Sequence, residues 1–228
     1  MGWASSTLPL EDRFRFERSL RLLELSGANI RAGSTWLDLG CNRGQFLNLL
    51  CDRYEVKATG FDDWDPALHT CKDRWSYQQV DLDRVLPDTE PASFISAFEV
   101  LEHMVDTDGF LARAYDRLVP GGRLIISTPN INCLRNRIWV PLGKYPAMME
   151  YRNIIHHVRL YNVATLTSHL SQIGYEIVDQ RGVSFLPQAR GLFTNRVSVA
   201  LADCFPALCS NIIVIAKKPS GSGRACRD

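Results

Sequence analysis

No stretch of this sequence reaches the roughly 20 consecutive apolar residues that a membrane-spanning helix needs. The nearest candidate, GLFTNRVSVALADCFPALC, is interrupted by Arg196, Asp203 and Pro206. The opening MGWASSTLPLEDRFRF lacks the basic and apolar regions of a secretory leader. The seven cysteines (Cys41, Cys51, Cys71, Cys133, Cys204, Cys209 and Cys226) are odd in number, scattered, and never spaced C-x-x-C. That pattern argues against a disulfide framework and against a zinc site, and leads us to expect reduced thiols in a cytoplasmic protein with no membrane span. An excess of one charge is missing too: 26 lysines and arginines face 25 aspartates and glutamates, a net charge of +1. Without a strong positive field, nucleic acid is not the expected partner.

What is present is an alternation of short apolar strands with amphipathic helices. The 228 residues, 46% of them hydrophobic, fit one domain with a sizeable core. STWLDLG reads as a buried strand ending at Gly40, and RGQFLNLLCDRY as the helix after it. VKATGFD is a second strand, followed by a helix DPALHTCKDRW with Asp65 at its N-cap and Pro66 in its first turn. YQQVDL and SFISAFEV are the third and fourth strands, with a helix over residues 108–118 after the latter. GGRLIISTP is the fifth, entered through Pro120-Gly121-Gly122. This order predicts an α/β fold, a doubly wound parallel sheet with helices on both faces. Residues 130–161, with Pro141, Pro146, Trp139 and the pair His156-His157, lose periodicity and read as a lid or insertion. NVATLTSHLSQIG resumes as a helix closed by Gly174, then YEIVDQ and NIIVIAKKP as strands. One domain is expected over residues 1–219, with a disordered polar tail over 220–228.

Acids stand at three successive strand ends. LDLGCNRGQF places Asp38, Gly40 and Gly44 on a tight strand-to-helix turn, where glycine permits unusual φ and a close backbone approach to a ligand. The second strand ends at Asp62, where a carboxylate can accept from both hydroxyls of a ribose. The third places Asp81 where an acid can meet a purine amine. Each feature alone is more often a turn or a helix cap. Three in register point to a nucleoside crevice at the carboxyl edge of the sheet.

On LDLGCNRG, GFDDWD, QVDLD, FEVLEH and LVPGGRLIISTPN, the sequence resembles the class I S-adenosylmethionine-dependent methyltransferases, over residues 36–218. The resemblance implies a mostly parallel seven-stranded sheet with one antiparallel strand, NIIVIAKK, and S-adenosyl-L-methionine as cofactor. Asn42 replaces the middle glycine of that family's loop; asparagine tolerates positive φ, so the loop geometry should survive. Carried over, Asp38 and Gly40 approach the methionine end, with Cys41, Asn42, Gly44 and Phe46 on the same turn and helix start. Asp62 holds the ribose, Asp63 and Trp64 flank the adenosine, and Asp81 with Leu82 meets the adenine. Phe98 and Glu99 lie beside the methionine moiety or the methyl.

The N/D-P-P-Y motif of amino-directed members is absent after the fourth strand, which favours an oxygen acceptor on a small molecule, sugar or glycan precursor. An oxygen must lose its proton, and His103 suits a general base, with Glu99 beside it. The pattern E-x-x-E-H also resembles ubiquinone-pathway O-methyltransferases and small-RNA 2′-hydroxyl methyltransferases, which implies an alternative in which Glu99, Glu102, His103 and a downstream His156 or His157 hold a divalent cation. Against it stands a plainer account: Glu99 as pocket wall or helix cap, His103 as a hydrogen-bonded wall, His156 and His157 as a hinge. The basic residues of 130–161 (Arg135, Arg137, Lys144, Arg152, Arg159 and the two histidines) read either as an anion-receiving lid or as a solvated face. Two further classes stay open. A nicotinamide-dependent oxidoreductase would want Y-x-x-x-K, and none of the seven tyrosines has lysine four positions on. A cofactor-binding paralogue without catalysis has only Asn42 in its favour.

Overall fold

The computed structural model describes residues 10–64, 74–147, 157–183 and 196–221. Its centre is a seven-stranded sheet built from β1 (Thr35–Leu39), β2 (Lys57–Asp62), β3 (Ser76–Gln79), β4 (Ala92–Phe98), β5 (Leu118–Pro129), β6 (Glu176–Gly182) and β7 (Asn211–Lys217). The strand order is β3-β2-β1-β4-β5-β7-β6. The first five strands pair in parallel; β7 runs antiparallel to both β5 and β6, the one reversal expected of NIIVIAKK. The order turns back between β1 and β4, so the crevice at their carboxyl ends is a topological switch point.

Burial follows position. The central strands β1, β4 and β7 are buried almost throughout, as strands covered on both faces must be, whereas edge strands β3 and β6 bury little. Alternate residues of each central strand feed two separate cores. On one face Leu37, Leu39, Ile95, Leu124 and Val214 pack with Phe110 and Leu111 of α3 (Thr107–Arg117) and Leu166 and Leu170 of α5 (Val163–Ile173). On the other, Trp36, Phe94, Ile125 and Ile213 pack with Phe46, Leu47 and Leu50 of α2 (Gln45–Arg53) and Phe16, Leu20 and Leu23 of α1 (Leu10–Leu25). A short α4 (Leu134–Trp139) follows β5, and α6 (Arg196–Cys204) occupies the apolar run near the end. Among the described residues no helix is long and apolar enough to cross a membrane.

Several boundaries differ from expectation. Helix α1 was not foreseen: eight charged residues between Glu11 and Glu24 mask its apolar stripe Phe16, Leu20, Leu23. Strand β3 ends at Gln79 rather than Leu82, because the Asp81 carbonyl accepts from Arg84 N (3.1 Å) and Val85 N (3.1 Å) and turns the chain away. Strand β4 ends at Phe98, where Glu99 takes a left-handed φ of 55°. The cap at Gly174 holds (φ 116°), and α5 opens on a capping box between Asn162 and Thr165. The helix expected over 65–75 falls mostly outside the described residues, as do His156 and most of the tail.

Candidate active site

The loop after β1 is fixed through its backbone amides. The amides of Gly40 (2.8 Å) and Cys41 (3.1 Å) both donate to the Phe61 carbonyl, tying the end of β1 to the end of β2. Gly40 (φ 75°) and Asn42 (φ 47°) are both left-handed, so asparagine does what the missing glycine would have done. A Cβ at Gly40 would lie 2.2 Å from a Val100 methyl. At Gly44 (φ 76°) a Cβ would meet the Trp75 ring at 2.1 Å, so only glycine lets the loop pack there.

Around this loop opens a cleft of about 750 Å³. Asp38, Gly40, Cys41, Asn42, Phe46, Asp62, Asp63, Trp64, Asp81, Leu82, Phe98, Glu99 and His103 all line it, so every residue assigned to the crevice except Gly44 meets there. Asp62 accepts from the amides of Asn42 (2.7 Å) and Asp63 (2.9 Å), bracing the glycine loop against the end of β2. Tyr77 and Gln79 of β3 hold the carbonyls of residues 62–64 from beneath. Asp81 stands in the turn beyond β3, its carboxylate shared between Asp83 N (3.1 Å) and Arg84 (3.1 Å).

Burial dominates the electrostatics. Asp38 is 2% exposed, accepts from Ser96 Oγ at 2.5 Å, and is pushed up to about 7 by desolvation, with the Asp62 charge adding to the shift and the Ser96 bond opposing it. Burial likewise raises Asp62, and it raises the Cys41 thiol far above its usual range, so Cys41 is a packed thiol and not a nucleophile.

Helix α1 supplies what the sequence reading missed: Asp12, Arg15 and Phe16 close one side of the cleft. The Phe16 ring meets Phe98 at a tilt (5.0 Å between centroids) and Phe46 edge to face (5.4 Å), seating the helix against the cleft. Arg15 pairs with Asp12 (2.6 Å) and approaches Glu99 Oε1 (3.4 Å); among the described lining residues it is the one arginine or lysine beside seven carboxylates. The i,i+4 pair Arg13-Glu17 and the spacing of Phe16, Leu20 and Leu23 were the available signals for this helix.

Glu99 is committed on both oxygens, to Ser127 Oγ (2.8 Å) and to Asn211 Nδ2 (2.7 Å), with Arg15 beside it. That fixes it as a wall of the cleft. His103, 40% exposed at the side chain, follows on a short 3₁₀ turn (Leu101–His103) and lines the cleft. Glu102 lies behind it, 1% exposed, with Oε2 accepting from Thr128 (3.2 Å) and Oε1 meeting no hydrogen-bond donor. Its carboxyl is held well above the ordinary range by burial and by the Glu99 charge. Ligand atoms of Glu102, His103 and His157 lie within 4.8 Å of one another, and Glu99 is outside that group.

A sequence profile of the methyltransferase domain matches residues 11–180. The chain belongs to this family. A probable S-adenosylmethionine-dependent methyltransferase of Mycolicibacterium smegmatis is 30% identical over 158 residues, 67% of this chain and 56% of that protein. The match therefore spans little more than half of that relative's length. A ubiquinone biosynthesis O-methyltransferase of Bradyrhizobium sp. is 28% identical over 185 residues, covering 77% of this chain and 69% of the relative. In fold, the methyltransferase domain superposes on Haemonchus contortus phosphoethanolamine N-methyltransferase 2 in complex with S-adenosyl-L-methionine with a TM-score of 0.60 at 15% identity, over 89% of this chain and 52% of that one. Membership in the methyltransferase-domain family sets aside the nicotinamide-dependent alternative.

Proposed function

We propose that this methyltransferase domain moves the methyl group of S-adenosylmethionine to an oxygen of a small molecule, sugar or glycan or lipid precursor. The observation that carries the reading is the convergence of Asp38, Asp62, Asp81 and His103 on one glycine-looped cleft. The donor set suits the cofactor's charges. An acid-rich cleft favours a ligand bearing a sulfonium and an ammonium, and Arg15 supplies a counter-charge for its carboxylate. Asp38 would receive the ammonium, Asp62 would accept from the ribose hydroxyls, Asp63 and Trp64 would flank the adenosine, and Asp81 with Leu82 would border the base. When bound, the cofactor supplies an electrophilic methyl carbon and a good leaving group. The protein's work is alignment and proton removal. Phe98 and Glu99, locked by Ser127 and Asn211, fix the wall beside the reacting carbon. His103 takes the acceptor's hydroxyl proton as oxygen attacks. Oxygen rather than nitrogen as the acceptor rests on the missing N/D-P-P-Y motif, with the ubiquinone-type relative in the same direction.

Calorimetric titration with S-adenosylhomocysteine tests the cofactor assignment; absence of binding at millimolar concentration would end it. A radiolabelled methyl-transfer assay on cell extract separates an active enzyme from a paralogue that only binds.

One observation favours a second reading of the acceptor side. The Glu102, His103 and His157 group could seat a divalent cation that lowers the acceptor's pKa, with His103 as ligand instead of base. Turnover unchanged after exhaustive chelation would dismiss it.

A further inference from the structure

The segment after β5 carries an apolar surface that the reaction does not use. Of the thirteen large apolar side chains described as exposed, four lie within the eight residues from Ile138 to Tyr145. Ile138 and Val140 are each 53% exposed, Leu142 67% and Tyr145 72%. Scattered exposed apolar residues need no explanation, but a contiguous run of them does.

This ridge is built, not frayed. Asn136, 2% exposed, donates to the Ile131 carbonyl (2.9 Å) and accepts from Ala147 N (3.1 Å), clamping both ends of the segment. Cys133 and Ala147 are buried on its inner side. The apolar side chains are thereby held outward on a fixed scaffold.

Charge identifies the occupant. From Asn130 to Ala147 the chain has no aspartate or glutamate and three cations, Arg135, Arg137 and Lys144, although the whole chain has a net charge of only +1. Arg135 lies over the Trp139 ring at 4.9 Å and Lys144 over it at 5.7 Å, so an aromatic ring, cations and apolar side chains share one surface. Such a surface matches an anionic bilayer, where cations meet headgroups and apolar side chains enter the acyl boundary. A polar protein surface would leave the apolar side chains without a counterpart.

Position gives the contact a use. The ridge leaves β5 at its carboxyl end, the same edge of the sheet at which the cleft opens. The chain beyond it returns onto the His103 turn, where Val158 N (2.9 Å) and Arg159 N (3.1 Å) donate to the Glu102 carbonyl. We propose that the Ile138–Tyr145 ridge docks peripherally on an anionic lipid bilayer, bringing the cleft to the membrane surface. The contact does not depend on which acceptor is methylated.

Co-sedimentation of the full chain with phosphatidylcholine vesicles, with and without phosphatidylglycerol, tests this directly. The chain should pellet with the phosphatidylglycerol vesicles, and less so as salt rises. Ile138→Asp with Leu142→Asp should cut that partition at least about tenfold, and Arg137→Ala and Lys144→Ala about fivefold each. S-adenosylhomocysteine titration and thermal melting of the same variants report whether the fold is intact. For the unaltered protein, hydrogen exchange with vesicles present should show new protection confined to 138–145. The proposal is overturned if the chain stays in the supernatant with both vesicle types, if the double variant binds as well as the parent, or if protection falls elsewhere. Self-association lost in the double variant, without vesicle binding, would assign the ridge to a second copy and overturn it as well. Failure of the cofactor titration with vesicle binding intact would count against the methyltransferase reading alone.

Discussion

The two halves of the cleft are built by different means. In the half at β1, β2 and β3 every anchor has a backbone group on one side and a near neighbour on the other: amides of Gly40 and Cys41 on one carbonyl, amides of Asn42 and Asp63 on the Asp62 carboxylate. The half at β4 and β5 is held by side chains from distant parts of the chain. Glu99 is fixed by Ser127 and Asn211, 28 and 112 residues away, and by Arg15 of α1. The first half leaves little to vary and suits an invariant cofactor. The second leaves an exposed imidazole and a buried carboxylate oxygen without a donor, which suits a group that differs from one substrate to another.

This contrast breaks most visibly at His103. His103→Ala should lower turnover by about 10²–10⁴-fold while leaving S-adenosylhomocysteine affinity unchanged, because a base acts in the transition state and not in cofactor binding. Rate and calorimetry on the one variant check both parts. Gly40→Ala attacks the other half: the added Cβ collides with Val100 and sits at φ 75°, for a loss of about 3 kcal/mol in urea unfolding and of measurable cofactor binding. Arg15→Ala should weaken cofactor binding by about 2 kcal/mol, roughly thirtyfold, through the lost charge-assisted pair. An unchanged titration would place α1 outside the binding machinery.

A smaller effect comes from pH. Asp38 titrates near 7 in the fold and near 3.8 as an ordinary aspartate, so the folded state holds an extra proton between those values. Unliganded stability should therefore fall as pH rises from about 4 to about 7, read by thermal melts. Binding of a ligand ammonium favours the ionised carboxylate, so affinity should rise with pH over the last unit below 7, by up to about tenfold. Proton release in buffers of different ionisation enthalpy checks the sign. The smallest change is Glu102→Gln. Without the buried titrating group, stability at neutral pH should rise by about 1 kcal/mol with turnover retained. Loss of turnover together with sensitivity to chelation would move Glu102 from pocket support to cation ligand.

Much of the cofactor half was legible in the chain because its determinants are local. A strand, a left-handed turn and a helix follow one another within LDLGCNRGQF, and the acids fall at strand ends set by period-2 burial. Gly44 was legible as a turn glycine but not as one that faces Trp75, since its neighbour there lies 31 positions on in sequence. Helix α1 escaped because its charges hide a narrow stripe that only the sheet face makes meaningful. The E-x-x-E-H pattern suggested four ligands together, whereas the left-handed turn at Glu99 and its Ser127 and Asn211 bonds hold that carboxylate outside the group of Glu102, His103 and His157.

By itself the sequence determined the family's strand–turn–helix unit, the order of strand and helix, and the acids at the crevice, because hydrophobic period and glycine placement act over a few residues. Only the tertiary structure decided that Arg15 closes one side of the cleft, that Glu99 is a locked wall, and that a partly exposed His103 lines the same cleft. Those outcomes depend on which side chains meet across strands far apart in the chain, and on how deeply each charge is taken out of water.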